Sequence, residues 1–338
     1  MKSLSLGPLM IDIAGLSLTD LDRQRLSHPQ VGGLILFARN YQDREQLTAL
    51  CAEVHALRSP RLLIAIDHEG GRVQRCREGF TRIPPMRKLG DLWENDSEVA
   101  LASAKALGFV LAAELRACGV DLSFTPVLDL DWGRSGVIGN RSFHSDPHVV
   151  TSLAGALIEG LSAAGMKSCG KHFPGHGWVE ADSHVAIPVD ERELSAIETD
   201  MIPFRRLPLD AVMPAHVIYE RCDSKSSGFS LYWHSLLRNE IKFNGVVFSD
   251  DLSMEGASIA GDIVARATAA WTAGCDVLLV CNAPEAVGDV LTRWQPARDP
   301  VRSQRLMDLL PKTTALTWDA LLDHPLYAKG QLAAKQLC

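Results

Sequence analysis

The stretch GVVFSDDLSM, residues 245–254, is an apolar run that ends in a serine and two aspartates. Seven further runs of mostly apolar residues are separated from it and from one another by amphipathic stretches: PLMIDI (8–13), GLILF (33–37), LLIAI (62–66), LSFTPVLDL (122–130), MKSCG (166–170), AVMPA (211–215) and DVLLV (276–280). Because the runs show little polar alternation, we expect both faces of each strand to be covered, as in a parallel sheet. The pattern predicts repeated strand–helix units.

Eight such units predict an α/β fold with a closed (β/α)8 barrel of the TIM type. An open doubly wound sheet usually has about five or six strands, and no GxGxxG follows the first run, so a dinucleotide-binding fold is disfavoured. Thr19 and Asp43 are the expected N-caps of helices over 20–27 and 44–57. We expect residues 1–338 to form a single domain, with C-terminal helices over about 283–338 packed on the barrel.

Composition narrows the class of protein. The chain has 34 Lys and Arg against 41 Asp and Glu, a formal charge of -7, and no basic block that would attract nucleic acid. No apolar stretch is long enough to cross a bilayer as a helix. The 8 cysteines are scattered without a CxxC pair, as is usual in a reducing compartment. We therefore expect a soluble, cytoplasmic and monomeric protein without a nucleic-acid or membrane partner.

Polar groups follow six of the apolar runs: Asp67, His68 and Glu69; Asp129 and Asp131; Lys171 and His172; His216; Asp250 and Asp251; and Asn282. Strand ends need some polar residues in any fold, but six runs that all end in ionisable or amide groups favour a site. The carboxyl ends of barrel strands lie on one face, so these side chains are expected to converge there.

The segment KHFPGHGWVEADSH, residues 171–184, concentrates histidines and carboxylates. Its side chains could bind zinc, act as acid and base, or satisfy the backbone of a loop. Pro174 and Gly175 break the helix that would place two histidines at i and i+4, which disfavours zinc. In the pair Asp182 and His184, the carboxylate could hold one imidazole nitrogen while the other nitrogen exchanges a proton. We expect no metal and no cofactor.

In the stretch 245–254, Asp250 is the first residue past the strand and is expected to project toward the barrel mouth. A helix N-cap is the competing interpretation, because aspartate is common at that position. Asp251 is expected either to orient Asp250 or to cap the following turn.

Several long motifs in order resemble glycoside hydrolase family 3, and within it the single-domain β-N-acetylglucosaminidases of bacterial peptidoglycan recycling. The motifs are GGLILFARN (32–40), IDHEGGRVQR (66–75), LSFTPVLDLD (122–131), IGNRSF (138–143), KHFPGHG with DSH (171–184), VMPAHVIY (212–219) and FSDDLSMEGA (248–257). Together they span about 30–260, and long motifs in a fixed order are far more specific than a lone glycine pattern.

The resemblance implies that Asp250 is the nucleophile and that His184, paired with Asp182, is the general acid/base. It further implies which residues hold the terminal N-acetylglucosamine: Asp67, Arg75, Arg141, Lys171 and His172. His68 stands where glutamine is common in the family. A lone arginine is usually a solvated surface charge, and only the motifs suggest a binding role for Arg75 and Arg141.

The implied reaction is the retaining removal of β-1,4-linked N-acetylglucosamine from 1,6-anhydro-N-acetylmuramyl peptides, with an amino sugar or muropeptide as the only expected partner. Three alternatives remain at this point. They are a hexosaminidase that uses the substrate acetamido oxygen as nucleophile, a metal-dependent barrel hydrolase that uses the 172–184 segment, and a non-catalytic amino-sugar-binding protein.

Overall fold

The structure, a computed structural model, describes residues 5–180 and 188–338. The strands in these ranges are β1 Leu9–Ile11, β2 Val31–Leu36, β3 Leu63–Ile66, β4 His68–Gly70, β5 Val73–Gln74, β6 Leu122–Ser123, β7 Cys169–Phe173, β8 Val189–Asp190, β9 Ala211–Pro214, β10 Ile218–Tyr219, β11 Val246–Val247 and β12 Leu278–Val280.

The α-helices in these ranges are α1 Asp20–Leu26, α2 Arg44–Ala56, α3 Arg87–Trp93, α4 Ser97–Ala117, α5 Pro147–Ala163, α6 Leu194–Asp200, α7 Ile202–Arg206, α8 Leu231–Ser235, α9 Ile263–Ala273, α10 Pro284–Arg293, α11 Pro300–Asp308, α12 Trp318–Leu322 and α13 Pro325–Leu337. Short 3₁₀ helices occur at Ala38–Asn40, Gly139–Arg141, Ser227–Phe229 and Glu255–Ala260, and α8 continues as a π-helix over Leu236–Glu240.

Parallel strands form two sheets at the centre of this α/β fold. The first has five strands in the order β12, β1, β2, β3, β6, and the second has three in the order β11, β9, β7. Isolated parallel bridges join the two sheets at both edges, from Leu122 to Lys167 and from Phe248 to Val277. Two small sheets lie outside this set: the antiparallel pair β4 and β5, and the parallel pair β8 and β10.

Each of the eight predicted runs contains a strand, but the described strands pair as two sheets, so closure into a single barrel is not confirmed. The run 122–130 is a strand only over β6, because Pro126 has no N–H to donate to a ladder. The fifth strand is β7 at Cys169–Phe173, so Lys171 and His172 lie inside it instead of after it. The hairpin of β4 and β5 and the pair of β8 and β10 were not predicted.

The predicted helix starts are confirmed. The hydroxyl of Thr19 accepts the amide of Asp22, and Asp22 caps Thr19 in return. Asp43 accepts the amide of Gln46 at 2.7 Å. The C-terminal region is helical as expected, and its last helix packs on α4, where the hydroxyl of Tyr327 donates to Glu114 at 2.7 Å. Within the described ranges, none of the helices has the length and apolar character needed to span a membrane.

Helices α4 and α5 cross at two glycines. A Cβ at Gly108 would stand 2.2 Å from the carbonyl oxygen of Leu157, and one at Gly160 would stand 2.0 Å from that of Lys105. The two backbones therefore touch at a distance that no side chain permits. This crossing belongs to a hydrophobic core that runs from Leu6 to Ala334.

Gly108→Ala should lower the free energy of unfolding by about 1–3 kcal/mol, because the added methyl group pushes two backbones apart. The better helix propensity of alanine offsets about 1 kcal/mol at most. Urea unfolding at fixed temperature measures the change. Gly155→Ala is the matched control on α5, since its Cβ would meet only a side-chain methyl of Leu207 at 3.4 Å. A Gly108→Ala protein as stable as Gly155→Ala would contradict the close crossing.

Candidate active site

Charged side chains from three separate segments meet at the carboxyl ends of β3 and β7. Lys171 lies in β7, and its ammonium donates to Asp67 Oδ1 at 2.6 Å and to Glu69 Oε1 at 2.7 Å. Lys171 and Glu69 are only 2% and 3% exposed. Arg141 donates through Nε and Nη2 to the two oxygens of Glu69, each at 2.8 Å. The predicted residues Asp67, Arg141 and Lys171 are thus brought together, with Glu69 at their centre.

The charges of this network support one another. Burial alone would raise the pKa of Glu69, but Arg141 and Lys171 outweigh it and hold that pKa far below its ordinary value. Burial would lower the pKa of Lys171, yet the carboxylates of Asp67 and Glu69 raise it above its ordinary value. Glu69, Lys171 and Arg141 are therefore ionised at neutral pH, and two basic side chains face two acidic ones in a largely buried space.

His172 is held from behind by Asp129. This carboxylate is fully buried, accepts the backbone amides of His172 at 3.2 Å and His176 at 2.7 Å, and lies 2.7 Å from Nδ1 of His172. Burial would raise the pKa of Asp129, but His172 outweighs it and the pKa lies below its ordinary value. Since the carboxylate can only accept, Nδ1 of His172 carries a proton and Nε2 is left to contact a ligand.

Asp250 follows β11 and is half-buried. Its Oδ1 accepts the amide of Asp251 at 2.8 Å. Burial would raise the pKa of Asp250, but the imidazoles of His216 and His172, the Asp251 amide and Lys171 outweigh it, so the pKa lies below its ordinary value. His216 is fully buried, and its Nε2 donates to the carbonyl oxygen of Asp251 at 3.1 Å. The result is a fixed, ionised and accessible carboxylate.

The carboxylate of Asp251 is used for local hydrogen bonds. Its carboxylate accepts the amide and hydroxyl of Ser253 at 2.9 and 2.8 Å and the amide of Cys281 at 3.3 Å. Burial raises its pKa. Of the two predicted roles for Asp251, the contacts favour capping of the turn after β11. Asp250 makes no such cap in the described structure, so it is available for chemistry.

Arg75 lies just after β5 and is half-buried, and within the described residues its Nε has no hydrogen-bond partner. The loop that carries it is closed by Gln74, whose side chain accepts the amide of Ile83 and donates to the carbonyl oxygen of Thr81. Glu114 then accepts the amide of Thr81 at 2.9 Å. Arg75 therefore lies on a braced loop, with its Nε unpaired among the described residues.

His68 is not placed to contact a ligand. It is 1% exposed, and its ring packs on Phe80 with 5.9 Å between centroids. Burial, with the charge of Arg75, lowers the pKa of His68 to about 3, so the imidazole is neutral. Its backbone amide and carbonyl oxygen are both bonded to the hydroxyl of Ser123. These contacts favour a core role.

The predicted pair Asp182 and His184 lies outside the described residues. The distance from this pair to Asp250 therefore stays a prediction. Within residues 5–180 and 188–338, no group of three or more His, Cys, Asp or Glu side chains is arranged to hold a metal ion. Sequence reasoning did not assign roles to Glu69, Asp129 or His216; their only signal was a position at or near the end of an apolar run.

Glu69→Gln should lower the free energy of unfolding at pH 7 by roughly 3–5 kcal/mol, because two buried cations lose a shared anion. The pKa of Glu69 is depressed in the fold, so its stabilisation is complete above the ordinary value of 4.5 and is lost as the pH falls toward the folded value. The difference between the two proteins should thus narrow by about 1.4 kcal/mol per pH unit below that point.

Urea unfolding at several pH values measures both effects. The matched control is Glu159→Gln, which breaks a surface pair with Lys105 at 2.8 Å and should change stability by less than about 1 kcal/mol. Equal losses in the two variants would contradict a structural role for the buried network.

Known proteins match the chain over nearly its whole length. The family model described as the glycosyl hydrolase family 3 N terminal domain covers residues 9–304. A relative from Aromatoleum aromaticum named beta-hexosaminidase is 59% identical over 96% of this chain and 93% of its own. The crystal structure of native NagZ from Neisseria gonorrhoeae has a TM-score of 0.93 and 49% identity, over 99% of this chain and 98% of its own.

The same Neisseria protein has also been solved with N-trifluoroacetyl-D-glucosamine and with a zinc ion, each at 48% identity and a TM-score of 0.93 over 100% of this chain and 99% of its own. The family resemblance read from the motifs is confirmed, and so is an α/β fold in one domain similar to NagZ. The chain belongs to glycosyl hydrolase family 3, as a β-hexosaminidase-type glycoside hydrolase that acts on N-acetylhexosamine.

Proposed function

We propose that the protein is a retaining exo-β-N-acetylglucosaminidase that removes terminal β-1,4-linked N-acetylglucosamine from 1,6-anhydro-N-acetylmuramyl peptides. The observation that carries the proposal is the state of Asp250. A carboxylate with a depressed pKa, one oxygen on a backbone amide and imidazoles nearby is an oriented nucleophile at the mouth of the fold.

In the first step, Asp250 attacks the anomeric carbon while His184 protonates the departing glycosidic oxygen. The Asp251 amide occupies Oδ1, which leaves Oδ2 as the attacking oxygen. A glycosyl-aspartate forms and the aglycone leaves with the proton from His184. Asp182 stabilises the imidazolium before this transfer, as carboxylates do in other carboxylate–histidine pairs.

In the second step, the neutral His184 removes a proton from water, and the oxygen of that water attacks the anomeric carbon. The bond to Asp250 breaks and the carboxylate is restored. Two displacements at one carbon retain its configuration. One imidazole serves as acid and then as base, where most retaining glycosidases use a second carboxyl group.

Asp67, Arg75, Arg141, Lys171 and His172 would bind the sugar. The network of Lys171, Arg141, Asp67 and Glu69 carries no net charge, which suits an uncharged ring with many hydroxyl groups. Lys171 donates two of its three N–H groups to Asp67 and Glu69, which leaves one to donate to a sugar hydroxyl. The complex of the Neisseria protein with N-trifluoroacetyl-D-glucosamine supports a site of this class.

The finer architecture is part of the same proposal. We expect the five-stranded and three-stranded sheets to close into one (β/α)8 barrel, and the bridges from Leu122 to Lys167 and from Phe248 to Val277 support this closure. Residues 1–338 would act as one catalytic domain and as a monomer, without nucleic-acid or membrane partners. The proposed setting is the cytoplasm, in peptidoglycan recycling.

Two of the alternatives lead to different measurements. A hexosaminidase that uses the acetamido oxygen leaves no aspartyl adduct. A metal-dependent hydrolase would copurify with stoichiometric metal, and the zinc complex of the Neisseria protein makes zinc the metal to measure. A non-catalytic binding protein is disfavoured, because the full-length relatives are named β-hexosaminidases.

Treatment with a fluorinated N-acetylglucosamine inactivator should add one sugar to the protein, and peptide mapping should place it on Asp250. Fluorine slows both displacements, and an activated leaving group on the inactivator keeps the first one fast, so the intermediate accumulates. Asp250→Asn should have no turnover and take no label, while keeping the shape of the site. A label on another carboxylate, or full inactivation without a covalent adduct, would rule out Asp250 as the nucleophile.

His184→Ala should reduce kcat/KM for phenyl β-N-acetylglucosaminide by about 10²- to 10⁴-fold, because phenoxide needs a proton to leave. The same variant should hydrolyse the 2,4-dinitrophenyl glycoside with a much smaller loss in kcat/KM, since that leaving group departs unprotonated. Steady-state kinetics with both substrates makes the comparison. Equal losses for the two would count against His184 as the acid.

A further inference from the structure

A tryptophan and an arginine flank the segment that carries Asp182 and His184, and both contact a second tryptophan, Trp132. Trp178 precedes that segment and Arg192 follows it. The Arg192 guanidinium lies 4.7 Å from the centroid of the Trp178 ring and 5.3 Å from that of Trp132. The two indoles contact edge to face at 5.4 Å. The chain before the segment is therefore held against the chain after it.

Two buried carboxylates fix Arg192 in this position. Asp190 accepts Nε at 3.0 Å and Nη2 at 2.7 Å, and Asp200 accepts Nη1 at 2.9 Å. The other oxygen of Asp200 accepts the indole N–H of Trp132 at 2.8 Å. We call Trp132, Trp178, Asp190, Arg192 and Asp200 the Trp–Arg clamp. Within the described residues, the side-chain hydrogen bonds of Arg192 and the indole N–H of Trp132 all go to the two carboxylates of the clamp.

A contribution to the stability of the fold does not by itself explain why the clamp is built from buried charged groups. The carboxylates of Asp190 and Asp200 are fully buried, and buried ion pairs often contribute less than apolar residues of similar size. Burial raises the pKa of Asp200 to about 6, although Arg192 and Trp132 oppose the rise. The fold thus keeps an ionised group where ionisation is disfavoured, as is common near functional sites.

The clamp is also continuous with the described site. Trp132 follows Asp129, which holds His172, by three residues. Between His172 and Trp178 the backbone is tightly packed, since a Cβ at Gly177 would stand 1.8 Å from the carbonyl oxygen of Leu130. Tyr219, fully buried, donates to the carbonyl oxygen of Gly175 at 2.8 Å. A shift of the clamp would therefore displace His172 and the start of the segment that follows Trp178.

We propose that the Trp–Arg clamp positions the proton donor. Its members do not touch the reacting atoms; they fix the separation and direction of the chain on both sides of Asp182 and His184. Asp182 follows Trp178 by four residues and His184 precedes Arg192 by eight, so the clamp holds the two ends of the chain between which the dyad lies. This inference rests on the proposed acid/base role of His184. A misplacement of about 1 Å can reduce a rate by 10²-fold.

Arg192→Lys tests the proposal, because lysine keeps the charge but loses the forked donors and the planar stacking. We expect kcat/KM for phenyl β-N-acetylglucosaminide to fall at least tenfold and kcat/KM for the 2,4-dinitrophenyl glycoside to fall less than about threefold. This parameter reports only the first displacement, where the acid acts. Trp132→Phe removes one hydrogen bond to Asp200 and keeps an aromatic ring. It should shift the ratio of kcat/KM for the phenyl glycoside to kcat/KM for the 2,4-dinitrophenyl glycoside in the same direction, but by a smaller factor.

The matched control is Arg238→Lys. Arg238 pairs with buried Asp276 at 2.6 Å and lies 5.3 Å from the Phe243 ring, but at the amino ends of the strands. The ratio of the kcat/KM values for the two substrates should be unchanged in this variant. An equal loss for both substrates in Arg192→Lys, or the same change of ratio in Arg238→Lys, would overturn the clamp.

Failure of the clamp and failure of the proposed function are distinguishable. If His184→Ala discriminates between the two substrates and Arg192→Lys does not, the clamp is wrong and the acid assignment stands. If His184→Ala does not discriminate either, both are overturned. Should Arg192→Lys fail to fold, Trp132→Phe decides the question by the same ratio, with thermal unfolding as the check on its integrity.

Discussion

The pairing of Glu69 with Arg141 and Lys171 is the interaction on which the site depends. It joins the hairpin after β3, the loop after β6 and the interior of β7, three segments that are distant in sequence. The two basic side chains keep Glu69 ionised, and the carboxylates raise the pKa of Lys171, although Glu69 and Lys171 are both buried. A site assembled in this way is rigid before its ligand arrives, so little binding free energy is lost in ordering it.

Electrostatics also explains how the site could hold the proposed nucleophile Asp250 beside a neutral ligand. Asp67 and Glu69 balance Lys171 and Arg141, while Asp250 is stabilised as an anion by the nearby imidazoles, the Asp251 amide and Lys171. His172 belongs to both groups: its Nδ1 lies on Asp129, and its charge lowers the pKa of Asp250. Binding and chemistry therefore share one buried framework, and damage to either should affect the other.

Local patterns in the sequence predicted much of this arrangement. Apolar runs located all eight central strands, and Thr19 and Asp43 marked helix starts, because capping depends on residues only a few positions apart. The strand after residue 122 is shorter than predicted because Pro126 interrupts its ladder, and β7 extends into polar residues that pair with carboxylates from other strands. Glu69 and Arg192 were missed because their partners are set by tertiary packing, which no local period encodes. The motifs supplied roles that spacing alone left open, and the acid/base role of Asp182 and His184 stays a prediction.

The bracing of the Arg75 loop by the last helix bears on how the enzyme can be handled. The hydroxyl of Tyr327 donates to Glu114, which holds Thr81, and the thiol of Cys338 donates to the carbonyl oxygen of Arg82 at 3.3 Å. Cys338 is an exposed thiol and so an obvious handle for a fluorophore or a solid support. Labelling this thiol would remove a tether from the segment that follows Arg75, which we propose to bind the sugar. An immobilised or dye-labelled enzyme made through this cysteine would then report an affinity altered by the label, and a surface lysine remote from that loop would be the sounder choice.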